Sequence, residues 1–295
     1  MAWLELRCAV SGLVADELVA WFMGQGALSG AIEPDLRFPE DEVFGEPGMP
    51  EPALWSYCWV VMLWSEETDL EQIWGDYSQQ FKRSAPDHEV RQVDDQDWVC
   101  LTQMQFSPQH IGQDFWVVPS WHEPPDSARL VLRLDPGQAF GTGTHPTTAL
   151  CLRWLLNQRL IGQRLLDYGC GSGILALAMS LLGSQQVVGV DIDPVAVATA
   201  QMNAQKNELN VSFVSVDELE EVPFDGVVAN ILWGPLMQLA PLLAARVKRN
   251  GWLTLSGLLE RQQESIQEAY APWFRLQVIG LEEGWICLSG QKYGD

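Results

Sequence analysis

Residues 164–178, RLLDYGCGSGILALA, run from a short apolar stretch through a G-x-G-x-G turn into a second apolar stretch. A strand, a tight turn and a helix satisfy that order. The glycines bring backbone close to a ligand with no Cβ in between, and the helix start presents unpaired N–H groups. Strands and helices then alternate. The strands are expected in RLLDY, QVVGVDI, VSFVSV, FDGVVANI and GWLTLSG, with RLQVIGLEE and GWICLSG as a closing hairpin. Helices are expected in GILALAMSLLG, DPVAVATAQMNAQKN and PLMQLAPLLAARVK. This pattern predicts an α/β fold, a doubly wound, Rossmann-like, seven-stranded sheet.

In such sheets ligands bind beyond the carboxyl ends of the strands. Asp191 closes the second strand, 191 − 169 = 22 residues after Gly169. An acid there accepts hydrogen bonds from ribose hydroxyls. The competing reading is an N-cap for the helix that begins at Pro194, a place Asp193 suits better. Asn230 closes the fourth strand and either faces the same crevice or serves as a turn residue. Dinucleotide folds read G-x-G-x-x-G, whereas Gly169, Gly171 and Gly173 read G-x-G-x-G with Asp167 two residues ahead. That spacing suits a nucleoside with an amino-acid tail, S-adenosylmethionine. Asp167 then pairs with the tail's ammonium, or else caps its own turn.

The remaining composition narrows the setting. The longest near-continuous apolar run, Cys58–Trp64, is far short of a membrane span, and MAWLELRCAV is not a signal peptide. A cytoplasmic protein is expected. Six scattered cysteines without a C-x-x-C pair, and four histidines without ligand spacing, suggest no metal site. The net charge is −22, and it is uneven: residues 1–130 hold 23 acids against 6 Lys/Arg, a net of −17. Direct nucleic-acid binding is disfavoured, while a basic partner would be attracted. The competing reading is that the acidity only keeps the protein soluble or reflects a high-salt habitat.

Before residue 92 the pattern is strand, helix, strand, strand, helix, strand. Strands are expected at 3–10, in ALSGAIEP, in LWSYCWVVMLW and in HEVRQV. The second helix is marked by Leu70, Ile73, Trp74, Tyr77 and Phe81, with Thr68 and Glu71 spaced as a capping box. This is the order of a ferredoxin-like α+β domain. The expected division is a ferredoxin-like domain at 1–91, a linker at 92–130 with a short hairpin near FWVVPSW, and the nucleotide-binding domain at 131–295.

LDPGQAFGTGTHPTT, DYGCGSGILALA, GVDIDPVAV, the ANIL and GPL pieces around Trp233, and the late EEGW together resemble the ribosomal protein L11 methyltransferase family (PrmA), class I S-adenosylmethionine-dependent enzymes. The resemblance implies an N-terminal domain that recognises the substrate protein and a catalytic domain that methylates lysine and N-terminal amines. It implies that Thr148, Gly169, Asp191 and Asn230 line the cofactor site and that Phe140 and Trp285 flank the reacting amine. FGTGTHPTT becomes the lid side of the same pocket, with Gly141 and Gly143 in the bend and Pro146 starting a helix. His145 is a base by chemistry or a helix-start residue by position. Where the family usually has a small residue after NIL, this chain has Trp233, expected to narrow the substrate entrance. Where the family shows an acid and a second tryptophan after DW, this chain has Val99 and Thr102. The expected partner is therefore a basic ribosomal protein docked by the acidic N-terminal domain. The alternatives are a methyltransferase acting on another protein or on a nucleic-acid amine, a nicotinamide-dependent oxidoreductase, and a non-catalytic binding protein that only retains the nucleotide fold.

Overall fold

The computed structural model describes residues 3–38, 55–93, 106–135 and 145–294. Compactness divides the chain into two units, Met1–Thr102 and Gln103–Asp295.

The first unit runs β1 (Trp3–Ser11), α1 (Gly12–Gly24), β2 (Ser29–Pro34), β3 (Tyr57–Ser65), α2 (Leu70–Phe81) and β4 (His88–Val93). Its sheet is antiparallel, in the order β2-β3-β1-β4, the arrangement of a split βαβ sandwich. Strand β3 alternates strictly: Cys58, Val60, Met62 and Trp64 are buried under the helices. They meet Ala15, Leu18, Trp21 and Phe22 of α1 and Ile73 of α2. Phe22 packs edge-on against Trp64 and Trp74, at centroid distances of 5.8 and 5.3 Å. The start of α2 differs from the expected Thr68–Glu71 capping box. Asp69 is the cap, and its Oδ1 accepts from the N–H groups of Glu71 and Gln72, each at 3.1 Å. A carboxylate at that position meets the unpaired donors and favours the positive helix end.

The second unit opens with β5 (Gln109–Gly112), β6 (Phe115–Val118) and β7 (Leu130–Arg133), a small sheet in the order β5-β6-β7. Strands β5 and β6 form the hairpin expected near FWVVPSW; β6 and β7 are parallel. Then follow α3 (Pro146–Leu155), β8 (Arg164–Tyr168), α4 (Ile174–Leu181), β9 (Gln186–Asp191), α5 (Pro194–Lys206), β10 (Ser212–Ser215), β11 (Phe224–Asn230), α6 (Trp233–Arg246), β12 (Val247–Leu259), α7 (Gln263–Tyr270), β13 (Gln277–Glu282) and β14 (Trp285–Gln291).

The main sheet has seven strands in the order β10-β9-β8-β11-β12-β14-β13. The first five are parallel; β14 is antiparallel to both of its neighbours. Its central strands β8, β9 and β11 are covered on both faces and are largely apolar, whereas the edge strand β13 is mostly exposed. Leu165 packs with Leu150, Leu155, Ile174 and Leu177 on one face. Leu166 packs with Val190, Val227, Leu236 and Leu243 on the other. Strand order reverses between β8 and β11, which opens a crevice above their carboxyl ends. No helix among the described residues is long and apolar enough to cross a membrane.

Two features were not legible in the pattern. Helix α7 buries only Ile266 and Tyr270, one turn apart, too sparse a stripe to stand out. Strand β12 continues to Leu259 through a register shift between Leu255 and Leu258. Tyr270 fastens α7 to α6, its hydroxyl donating to Leu236 O at 2.8 Å in a fully buried setting. Burial pushes that phenol well above its ordinary pKa. Tyr270→Phe removes the hydrogen bond and keeps the ring. It is expected to lower stability by about 1 kcal/mol, read as a shifted urea midpoint at unchanged slope.

Candidate active site

The crevice is built from the ends of β8, β9 and β11 and the start of α3. Asp167, on β8, is 1% exposed. Its Oδ2 accepts from Ala176 N–H at 3.0 Å, in the first turn of α4. Its Oδ1 is buried and has no partner among the described residues. Burial pushes the carboxyl up to about 7; the Ala176 hydrogen bond opposes this and the Asp191 charge adds to it. A cation seated on Oδ1 would hold Asp167 ionised.

The turn after β8 has positive φ at Gly169, Gly171 and Gly173. At Gly169 the reason is local. With φ at +76°, a Cβ there would stand 2.3 Å from Ile231 Cγ2, so the turn closes over the residue after Asn230 only without a side chain. Asp191 holds the same turn from the next strand. Its Oδ2 accepts from Gly171 N–H at 2.8 Å and its Oδ1 from Asp193 N–H at 3.0 Å. Asp193 is the N-cap of α5, accepting from Val195 N–H at 2.8 Å. The two acids therefore divide the roles weighed from sequence: Asp193 caps the helix and Asp191 faces the glycine turn. A carboxylate oxygen accepts more than one hydrogen bond, so holding the turn leaves Asp191 capacity for a hydroxyl ligand.

On β11, Val228 is in register with Asp167, which places Asn230 two residues further toward the crevice on the neighbouring strand. Asn230 Nδ2 donates to Thr148 Oγ1 at 3.3 Å. Thr148 is fully buried in the first turn of α3. That contact occupies the amide nitrogen, and Asn230 Oδ1 is left buried without a partner among the described residues. Two neighbouring parallel strands thus end in two oxygen acceptors, one ionisable and one neutral, each needing a donor.

A match to the family model described as ribosomal protein L11 methyltransferase (PrmA) extends over residues 2–293. The chain belongs to the ribosomal protein L11 methyltransferase family. The ribosomal protein L11 methyltransferase of Janthinobacterium sp. (strain Marseille) is 47% identical, over 99% of this chain and 97% of its own length. That of Thiobacillus denitrificans is 46% identical, over 99% and 100%. The crystal structure of ribosomal protein L11 methylase from Lactobacillus delbrueckii subsp. bulgaricus superposes with a TM-score of 0.59 at 29% identity. It covers 64% of this chain and all of its own.

S-adenosylmethionine is the methyl donor of this family, and the residues present fit it. Asp167 Oδ1 offers an acceptor for its ammonium, the glycine turn a surface without side chains, and Asp191 an acceptor for ribose. Of the remaining residues the family resemblance pointed to, Trp285 opens β14, is 7% exposed and packs edge-on to His145 at 4.9 Å. His145 is the N-cap of α3: its Nδ1 accepts from Thr147 N–H at 3.3 Å and lies 2.7 Å from Thr147 Oγ1. Phe140, Gly141 and Gly143 lie outside the described residues.

Gly257 was missed, although a glycine inside an apolar strand pattern marks a bulge or a close backbone approach. With φ at +82°, a Cβ on it would lie 2.3 Å from the carbonyl oxygen of Ile231. The loop after Asn230 is thus pressed between Gly169 and Gly257. Gly257→Ala must move this backbone and is expected to lose roughly 1–3 kcal/mol, seen as a lowered melting temperature.

Proposed function

We propose that this chain transfers methyl groups from S-adenosylmethionine to amino groups of ribosomal protein L11, on lysine side chains and at the N-terminus. The observation that carries this reading is the pair of buried oxygens without partners, Asp167 Oδ1 and Asn230 Oδ1, at the crevice ends of adjacent strands. One is an anion suited to an ammonium. The other is a neutral acceptor suited to an amine N–H, held in orientation by Thr148.

Bound S-adenosylmethionine supplies an electrophilic methyl group on a sulfonium. The protein then has to deliver a neutral amine. A lysine in water has a pKa near 10.4, so roughly one in a few thousand is neutral at pH 7. Removal from water beside Trp285, and beside Phe140 as the second flanking aromatic, lowers that value. Asn230 Oδ1 accepts one amine N–H and directs the lone pair; being uncharged, it does not favour the ammonium form as a carboxylate would. Aromatic walls also tolerate a methylated cation, which repeated transfer requires. His145 is read as the cap of α3 rather than a base, because its Nδ1 serves the helix start. Positioning supplies much of the rate.

The acidic Met1–Thr102 unit is read as the docking surface for the substrate protein. Residues 1–102 hold 20 Asp/Glu against 5 Lys/Arg, a net charge of −15, and a ribosomal protein is basic.

Labelled S-adenosylmethionine with purified L11 is expected to place label on L11; an unlabelled L11 would rule the reading out. Asn230→Ala is expected to lower kcat about 100-fold while donor affinity changes little. Asp167 gives a pH signature. Its carboxyl is pushed up to about 7 in the free protein, and only the carboxylate receives the ammonium. Donor affinity should therefore rise with pH up to about 7 and level off above it, measured by calorimetry. Asp167→Asn should bind roughly ten-fold or more weakly, with that rise absent.

A further inference from the structure

Three residues beyond Asn230, at the first position of α6, stands Trp233. Its indole Nε1 donates to Ser265 Oγ of α7 at 2.9 Å, and Ser265 Oγ donates to Gln262 O at 2.9 Å. The direction of this chain is fixed by chemistry. An indole N–H only donates and a carbonyl only accepts, so the single serine proton is committed to Gln262. Gln262 continues the connection through its side chain, whose Oε1 accepts from Leu259 N–H at 2.8 Å. Leu259 is the last residue of β12 and is paired with Trp285. Glu260 N–H donates to Gly284 O at 2.9 Å, tying the same corner to the residue before Trp285.

We infer that Trp233, Ser265 and Gln262 form a brace that sets the Asn230 loop against Trp285. The inference rests on the amine-methylating reading of this site. Asn230 and Trp285 enter from separate strands with β12 between them. Gly169 and Gly257 limit where Ile231 can stand, but they only exclude positions. The brace is the attractive counterpart. It pulls the end of the loop toward α7 and draws the end of β12, where Leu259 pairs with Trp285 of β14, into the same network. Trp233 also packs on the apolar cluster between the sheet and helices α6 and α7, so its ring is held by contact and by hydrogen bond together. Trp233 and Ser265 are accordingly positioning residues: they hold the groups that meet the amine and leave the donor side, built on Asp167 and Asp191, untouched.

The test compares wild type, Ser265→Ala, Ser265→Thr and Trp233→Phe. The measurements are kcat and KM for L11, donor Kd by calorimetry, and backbone hydrogen exchange over residues 228–236. Ser265→Ala and Trp233→Phe are expected to lower kcat about ten-fold, the cost of a sub-ångström misplacement, with donor Kd within about two-fold. Exchange over 228–236 should rise in both. Ser265→Thr, which keeps the hydroxyl, should restore both readings, and the double variant Trp233→Phe/Ser265→Ala should lose no more than the worse single one. Wild-type kcat and exchange in Ser265→Ala would overturn the brace. So would equal losses in kcat and donor affinity, which would mark a general destabilisation. If wild type itself leaves L11 unlabelled, the functional reading fails, and the exchange comparison alone decides whether the brace holds the loop.

Discussion

The Asp191 carboxylate is the joint on which the nucleotide side of the molecule turns. One oxygen takes Gly171 N–H and the other takes Asp193 N–H. The first contact holds the glycine turn in a left-handed conformation it would otherwise leave for many others. The second sets the start of α5, whose cap is Asp193 itself. A turn between β8 and α4 and a turn between β9 and α5 are thereby coupled through one side chain. The lone-pair capacity that remains faces the crevice. On the proposed function, structural and ligand roles coincide in this residue, and its loss would not separate them.

The acceptor side is organised differently. Glycines shape it by exclusion, and a hydroxyl sets an amide. Ile231 is pressed between positions 169 and 257, and Asn230 is oriented by a threonine from α3. The oxygen acceptors on β8 and β11 differ in kind for a physical reason. A carboxylate suits a permanent ammonium on the donor, whereas an amine that must stay neutral is better met by a neutral carbonyl. On the proposed function, charge on one strand and a dipole on the next would keep the two requirements apart.

Much of this was legible in the chain. Apolar runs such as RLLDY and QVVGVDI are covered on both faces, so their composition alone marks parallel strands. Asp167, Asp191 and Asn230 were locatable because each ends such a run. What was not legible depended on geometry that only the assembled fold supplies. The bond from Gly171 to Asp191 requires the left-handed turn. The cap of α2 went to Asp69 because a nearer carboxylate displaced the Thr68 box. Helix α7 shows too few buried positions to declare itself, although its serine closes the network that begins at Trp233. Gly257 carried a signal, a glycine inside a strand, but what passes over it lies some 26 residues earlier in the chain (257 − 231).

Strand β14 is late in sequence yet interior in the sheet, inserted between β12 and β13. Trp285 enters the site on that strand. The parallel core can pair from β8 through β12 as the chain is made, but the strand that carries the aromatic comes after all of it. Synthesis therefore separates the two halves of the site in time. The donor cradle can form early, while the amine side waits for residues 285–291 and for long-range pairing, the slow class of contact in folding. On the proposed function, a growing chain would acquire its capacity to hold a nucleoside before it could act on an amine.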